Sequence, residues 1–75
     1  MKYYLINNLF IHQEKDNGEY RCIFELVNGN RFRPVNSPWL SYDETYDQLI
    51  KRHNNTYIRR IELEDFIAEH FEKFL

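Results

Sequence analysis

The chain has one cysteine, Cys22, so no disulfide can form within its 75 residues. Disulfide-stapled folds are excluded, and a lone thiol fits a reducing cytoplasm. Its two glycines, Gly18 and Gly29, both fall in turn-like Asn-Gly steps, so there is no material for a phosphate-cradling glycine loop. His12, His53 and His70 share no metal-ligand spacing with one another or with Cys22, and no metal or cofactor is expected. No run approaches the roughly 20 apolar residues of a membrane span. Asn7 and Asn8 interrupt the opening stretch before a signal-peptide core develops. No membrane partner is expected, the Asn54-Asn55-Thr56 sequon is expected to go unused, and the expected location is cytoplasmic. Positive charge is also short. Ten Lys and Arg stand against twelve Asp and Glu, for a net charge of −2, which argues against general nucleic-acid binding.

That charge is uneven along the chain. Residues 21–60 carry seven basic and four acidic groups, whereas residues 61–75 carry one basic and five acidic groups. What is abundant is aromatic area. Six Tyr, six Phe and Trp39 can each bury about 150–250 Å². One domain spanning 1–75 is expected, near the lower size limit for independent folding. A core of this size supplies only about 3–5 kcal/mol of net stability. Aromatic packing or self-association as a homodimer must therefore hold the fold.

Turn signals divide the chain. Asp16-Asn17-Gly18 and Asn28-Gly29-Asn30 separate strand-like runs at residues 3–12, 20–27 and 31–35. A two-residue Asn17-Gly18 loop sets Ile11 opposite Phe24, Leu9 opposite Leu26 and Glu14 opposite Arg21. A three-residue Val27-Asn28-Gly29 loop sets Phe24 opposite Phe32 and Glu25 opposite Arg31, which keeps apolar against apolar. The core face then holds Tyr3, Leu5, Leu9, Ile11, Tyr20, Cys22, Phe24, Leu26 and Phe32. The second face carries Tyr4, Ile6, Phe10, Ile23 and Val27 among polar groups, with His12 and Cys22 on opposite faces.

Ser41-Tyr42-Asp43-Glu44 has the pattern of a capping box. The helix it opens sets Tyr42, Tyr46, Leu49, Ile50 and His53 on one side, and Asn54-Asn55 ends it. Residues 56–62 are β-branched and aromatic and read as a fourth strand. The alternative is the first turns of a longer final helix. Residues 63–75 read as a helix with Leu63, Phe66, Ile67, His70, Phe71 and Phe74 on its apolar side. The expected fold is α+β, a small antiparallel sheet of three or four strands with two helices, order β-β-β-α-β-α. The two helices can cover one face each, or lie side by side and leave the second face open.

No catalytic constellation is present. Asp43-Glu44 and Glu64-Asp65 fall in first turns of helices, where carboxylates support the cap and dipole. Cys22 reads as a small buried hydrophobe and His70 as a satisfied core-edge histidine. The expectation is a small non-enzymatic protein-binding module that inhibits or tethers a partner by occupying its surface, with no small-molecule substrate. The candidate contact residues are Tyr4, Ile6, Phe10, Arg31 and Arg33 on the second face, Trp39 in its loop, and the acidic stripe Glu62, Asp65, Glu69 and Glu72. The alternative is a nucleic-acid-binding module using Arg31, Arg33, Arg59 and Arg60 with aromatic groups. Codons rich in A and T dominate the composition. This short, motif-free profile is similar to small accessory proteins of phages and mobile elements, many of which inhibit host machinery.

Overall fold

The computed structural model describes residues 1–53 and 56–74. The helix stop at Asn54-Asn55 and the sequon asparagine lie outside the described residues. Five strands form one antiparallel sheet: β1 (Lys2–Ile6), β2 (Phe10–Glu14), β3 (Tyr20–Val27), β4 (Arg31–Pro34) and β5 (Ile58–Ile61). Their spatial order is β4-β3-β2-β1-β5. Helix α1 (Tyr42–Thr45) runs on as a π-helical segment (Tyr46–Ile50), and α2 (Leu63–Glu69) is followed by a 3-10 turn (Phe71–Lys73). The class is α+β as expected, with one strand more than expected and residues 58–61 in the sheet.

The additional strand comes from Asn7-Asn8. The run read as one strand over 3–12 is a hairpin, β1–β2. Asn7 and Asn8 take φ of 54° and 57°, and the Leu9 amide donates to the Ile6 carbonyl at 2.9 Å. Asparagine tolerates this left-handed backbone better than most residues. Apolar side chains on both sides of the turn hid it in the sequence.

The β2–β3 turn also differs from the two-residue expectation. It uses three residues, Asp16-Asn17-Gly18, closed by the Lys15 amide donating to Glu19 at 2.9 Å, with Gly18 at φ 84°. Glu14 therefore faces Tyr20, Gln13 faces Arg21 and His12 faces Cys22. A bulge at Ile23 then restores the expected Ile11–Phe24 pair. Between turn and bulge the side chains of β3 are inverted relative to expectation. Tyr20 and Cys22 leave the core face, and Ile23 packs against the core. At the third turn, Asn28 and Gly29 both take positive φ. Val27 pairs with Arg31, Leu26 with Phe32, Glu25 with Arg33 and Phe24 with Pro34. The faces are as expected, but the partners slide by two residues. Glu25 accordingly holds Arg33, at 2.5 Å to Nη2, rather than Arg31.

The core lies between the sheet and α2, built on Leu5, Ile11, Phe32, Ile61 and Phe66. Helix α2 stops at Glu69, earlier than the expected 63–75. The 3-10 turn swings Phe74 back onto Phe24 and Phe32, with ring centroids 5.1 Å apart in both pairs. Phe71, expected on the apolar side, is 67% exposed, and Leu9 is exposed as well. On the other face, Ser41 and Glu44 form the expected capping box, and the helix they open lies over Tyr4, Ile6 and Tyr20. The helices thus take one face each, and the second face is not left open. No helix among the described residues is long and apolar enough to cross a membrane.

Candidate protein-contact surface

Where α1 lies over the sheet it leaves an apolar groove of about 120 Å³, lined by Tyr4, Ile6, Tyr20, Tyr42, Ile50 and Ile58. Four tyrosines step outward from it. Tyr4 and Tyr20 have ring centroids 6.3 Å apart, Tyr20 and Tyr42 6.2 Å, and Tyr42 and Tyr46 6.3 Å. Glu14 anchors the inner end by accepting from the hydroxyls of Tyr4 and Tyr20. Burial, reinforced by that carboxylate, pushes the Tyr20 phenol well above its ordinary range. The rim stays uncovered. Tyr42 is 57% and Ile58 47% exposed, and Tyr46, next to Tyr42, is exposed too. Tyr57, 54% exposed, precedes Ile58 and by alternation belongs to the α2 face. Large apolar side chains gathered at one place on a small domain mark a contact site more often than scattered ones do.

The residues singled out from the sequence divide around this groove. Tyr4 lines it and Ile6, only 3% exposed, forms its floor. Phe10 lies farther along the same face, its ring 6.3 Å from that of His53. Arg31 and Arg33 stand on β4, and Arg59 and Arg60 on β5. These strands are opposite edges of the sheet, separated by four strand spacings or roughly 19 Å. The fold does not gather the four arginines. Trp39 lies under two cations, Lys15 Nζ at 4.1 Å and Arg21 Cζ at 4.5 Å from its ring centroid. Glu62, Asp65, Glu69 and Glu72 are all exposed along α2 and the turn after it. His70 bonds the Phe66 carbonyl through Nδ1 at 2.9 Å and stacks on the Phe66 ring. Tyr42, Tyr46, Tyr57 and Ile58 were missed as surface residues. The helical spacing of Tyr42 and Tyr46 marks a shared side, but the same signal describes a buried side.

A second cavity, of about 210 Å³, lies between the π-helical segment and the sheet, among Phe10, His12, Cys22, Thr45 and Leu49. Contrary to the sequence expectation, the turn and bulge set His12 and Cys22 opposite one another on this face. His12 Nδ1 and Thr45 Oγ1 are buried and lack a partner among the described residues. Burial lowers the His12 imidazole to about 4. Burial, and secondarily the Glu25 carboxylate, raise the Cys22 thiol to about 11, against a smaller lowering by the Phe24 backbone, and Sγ donates to the Phe24 carbonyl. At neutral pH the pair is a neutral imidazole and a protonated thiol, not an activated nucleophile. Iodoacetamide is expected to alkylate Cys22 about a hundredfold more slowly in the folded chain than in urea at the same pH, because the thiolate is that much rarer. Mass spectrometry over a time course reads this directly, and equal rates would refute it. Among the described residues no group of three or more His, Cys, Asp and Glu is placed to hold a metal ion.

No protein-family model matches the chain, and neither a curated protein nor a solved structure matches it.

Proposed function

We propose that the chain is a small cytoplasmic protein-binding module without enzymatic activity, acting by stoichiometric occupation of a partner's surface. The supporting observation is the tyrosine-rimmed groove. Three large apolar side chains, Tyr42, Tyr46 and Ile58, stand exposed at the edge of one apolar recess, Tyr46 through its ring contact with Tyr42. Tyr and its neighbours in such a recess supply rigid contact area at low entropic cost. In this reading the module blocks or tethers another protein, as an accessory factor of a phage or mobile element does to its host. Tyr4 and Ile6 contribute as the wall and floor of the recess.

Site-specific photocross-linking tests the reading. A benzophenone amino acid in place of Tyr46 is expected to yield a discrete heteromeric adduct in cells. The same group in place of exposed Asp16, in the β2–β3 turn, is expected to yield none. Identical products at the two positions, or adducts to a second copy of the chain alone, would sink the proposal.

A further inference from the structure

We propose that β5 accepts an acidic, extended segment of a partner protein as a sixth strand. This rests on the protein-binding reading above and names the partner's chemistry. The two edges of the sheet are not equivalent. The outer side of β4 is bridged at Phe32 by Phe74. The outer side of β5 is bridged by no strand among the described residues.

The hydrogen-bond pattern says which groups β5 offers. The Asn7 amide donates to the Tyr57 carbonyl at 2.7 Å, and the Tyr57 amide donates to Asn7 Oδ1 at 2.7 Å. Tyr57 therefore points its backbone toward β1. Antiparallel ladders alternate, so Arg59 and Ile61 also point inward, opposite Leu5 and Tyr3. Ile58 and Arg60 point their amides and carbonyls outward. Two donors and two acceptors at strand spacing suit an added peptide backbone. The Ile58 side chain lies on the face of the tyrosine-rimmed groove, so an added strand sets every second residue beside that recess.

Charge selects the guest. Residues 51–61 hold Lys51, Arg52, Arg59 and Arg60 and no acidic group. The Thr56 hydroxyl donates to the Ile50 and His53 carbonyls at 3.1 and 2.6 Å, which keeps Lys51 and Arg52 beside the start of β5. The ion pair found among the described residues is Glu25–Arg33, at the far edge. Arg59 lies 6.0 Å over the Phe66 ring, and all four cations are exposed to solvent where carboxylates can meet them. A second copy of the chain fits badly. The antiparallel β5–β5 register that pairs Ile58 with Arg60 sets Arg59 directly opposite its own copy, the one centred on Arg60 opposes that cation with itself, and opposed like charges destabilise a strand pair. A nucleic acid fits less well than a peptide, because the outward carbonyls of Ile58 and Arg60 would face phosphates and Glu62 and Glu64 follow at once.

The test is selection of short random displayed peptides on the full chain, followed by binding measurements on the selected sequences. The expected consensus is acidic, with apolar residues at alternate positions. The Arg59→Glu/Arg60→Glu variant is expected to weaken binding at least about tenfold, or 1.4 kcal/mol. Ile58→Pro is expected to do the same. It removes an outward amide and no ladder bond to β1, and proline is tolerated at such an edge position. If Ile58→Pro fails to fold, the charge variant alone decides. A neutral or basic consensus, binding indifferent to the charge variant, or tighter binding of a short single-stranded DNA would each overturn the proposal. Cross-links at Tyr46 without an acidic consensus would leave the module reading standing and remove strand addition alone.

Discussion

Phe32→Ala is expected to leave the chain largely unfolded at 25 °C. Phe32 is 4% exposed and sits where three elements meet. Its ring stacks on Phe74 at 5.1 Å and 19°, and meets Phe66 edge-on at 6.0 Å and 79°. Its backbone pairs with Leu26. Truncating a buried phenylalanine costs about 3–5 kcal/mol, and a domain this small has about that much in total. Far-UV circular dichroism and a urea titration give the answer. Phe71→Ala serves as the control. The Phe71 side chain is two-thirds in solvent, so its loss should change stability by no more than about 0.5 kcal/mol. A Phe32→Ala variant with a wild-type unfolding midpoint would mean that α2 and Phe74 do not close the core as described.

Stability should also fall between about pH 6.5 and pH 4. Burial holds His12 near 4 in the folded chain, while the unfolded chain takes up the same proton near 6.5. The unfolded state therefore binds more protons in that window. Stability is complete above pH 6.5 and is lost as pH falls toward the folded value. At about 1.4 kcal/mol per pH unit, the loss approaches roughly 3 kcal/mol, a large share of the total. The groups facing His12 across the cavity are the protonated Cys22 thiol, Thr45, Gln48 and Glu25, and Arg33 already engages Glu25. The cavity therefore holds no free carboxylate to receive the imidazolium. Urea midpoints measured across this range should drop for the native chain and stay much flatter for His12→Gln. Equal slopes in the two proteins would assign the acid sensitivity to the surface carboxylates instead.

The sequence made the local devices legible. The Ser41–Glu44 capping box, the places of the Gly18 and Gly29 turns though not their lengths or registers, and the strand character of residues 58–61 each depend on a few adjacent residues and are legible there. The Ile11–Phe24 pair was also right, though by a different route, since a longer turn and a bulge at Ile23 cancel in register. What stayed hidden depends on choices made at a distance. Asn7-Asn8 looked like an interruption within a strand because Leu5, Ile6, Leu9 and Phe10 flank it with apolar groups. The pairing of His12 with Cys22 required the bulge, and nothing in the tripeptide Cys22-Ile23-Phe24 announces one. Whether the helix after Ser41 covered the second face was a packing question. Its answer turned Ile6 from surface to floor and moved the candidate contact residues to Tyr42, Tyr46 and Ile58. The early stop of α2 at Glu69 was equally invisible. Periodicity from Leu63 to Phe74 fits one long helix, but Phe74 gains more by turning back onto Phe24 and Phe32.

The strand order carries a consequence for how the molecule assembles. Strands β1 to β4 are neighbours in both sequence and space, so their hairpins close short loops and can zip in succession. β5 joins β1 across a sequence separation of 50 residues, as the Asn7–Tyr57 contact records, and must wait for the longest closure in the sheet. It is the strand placed to dock last and to open first, and its amides should exchange with solvent ahead of those in β2 and β3. A partner that adds to β5 would therefore act as a clasp on the slowest-closing piece of the chain, so that recognition and the final step of folding become one event.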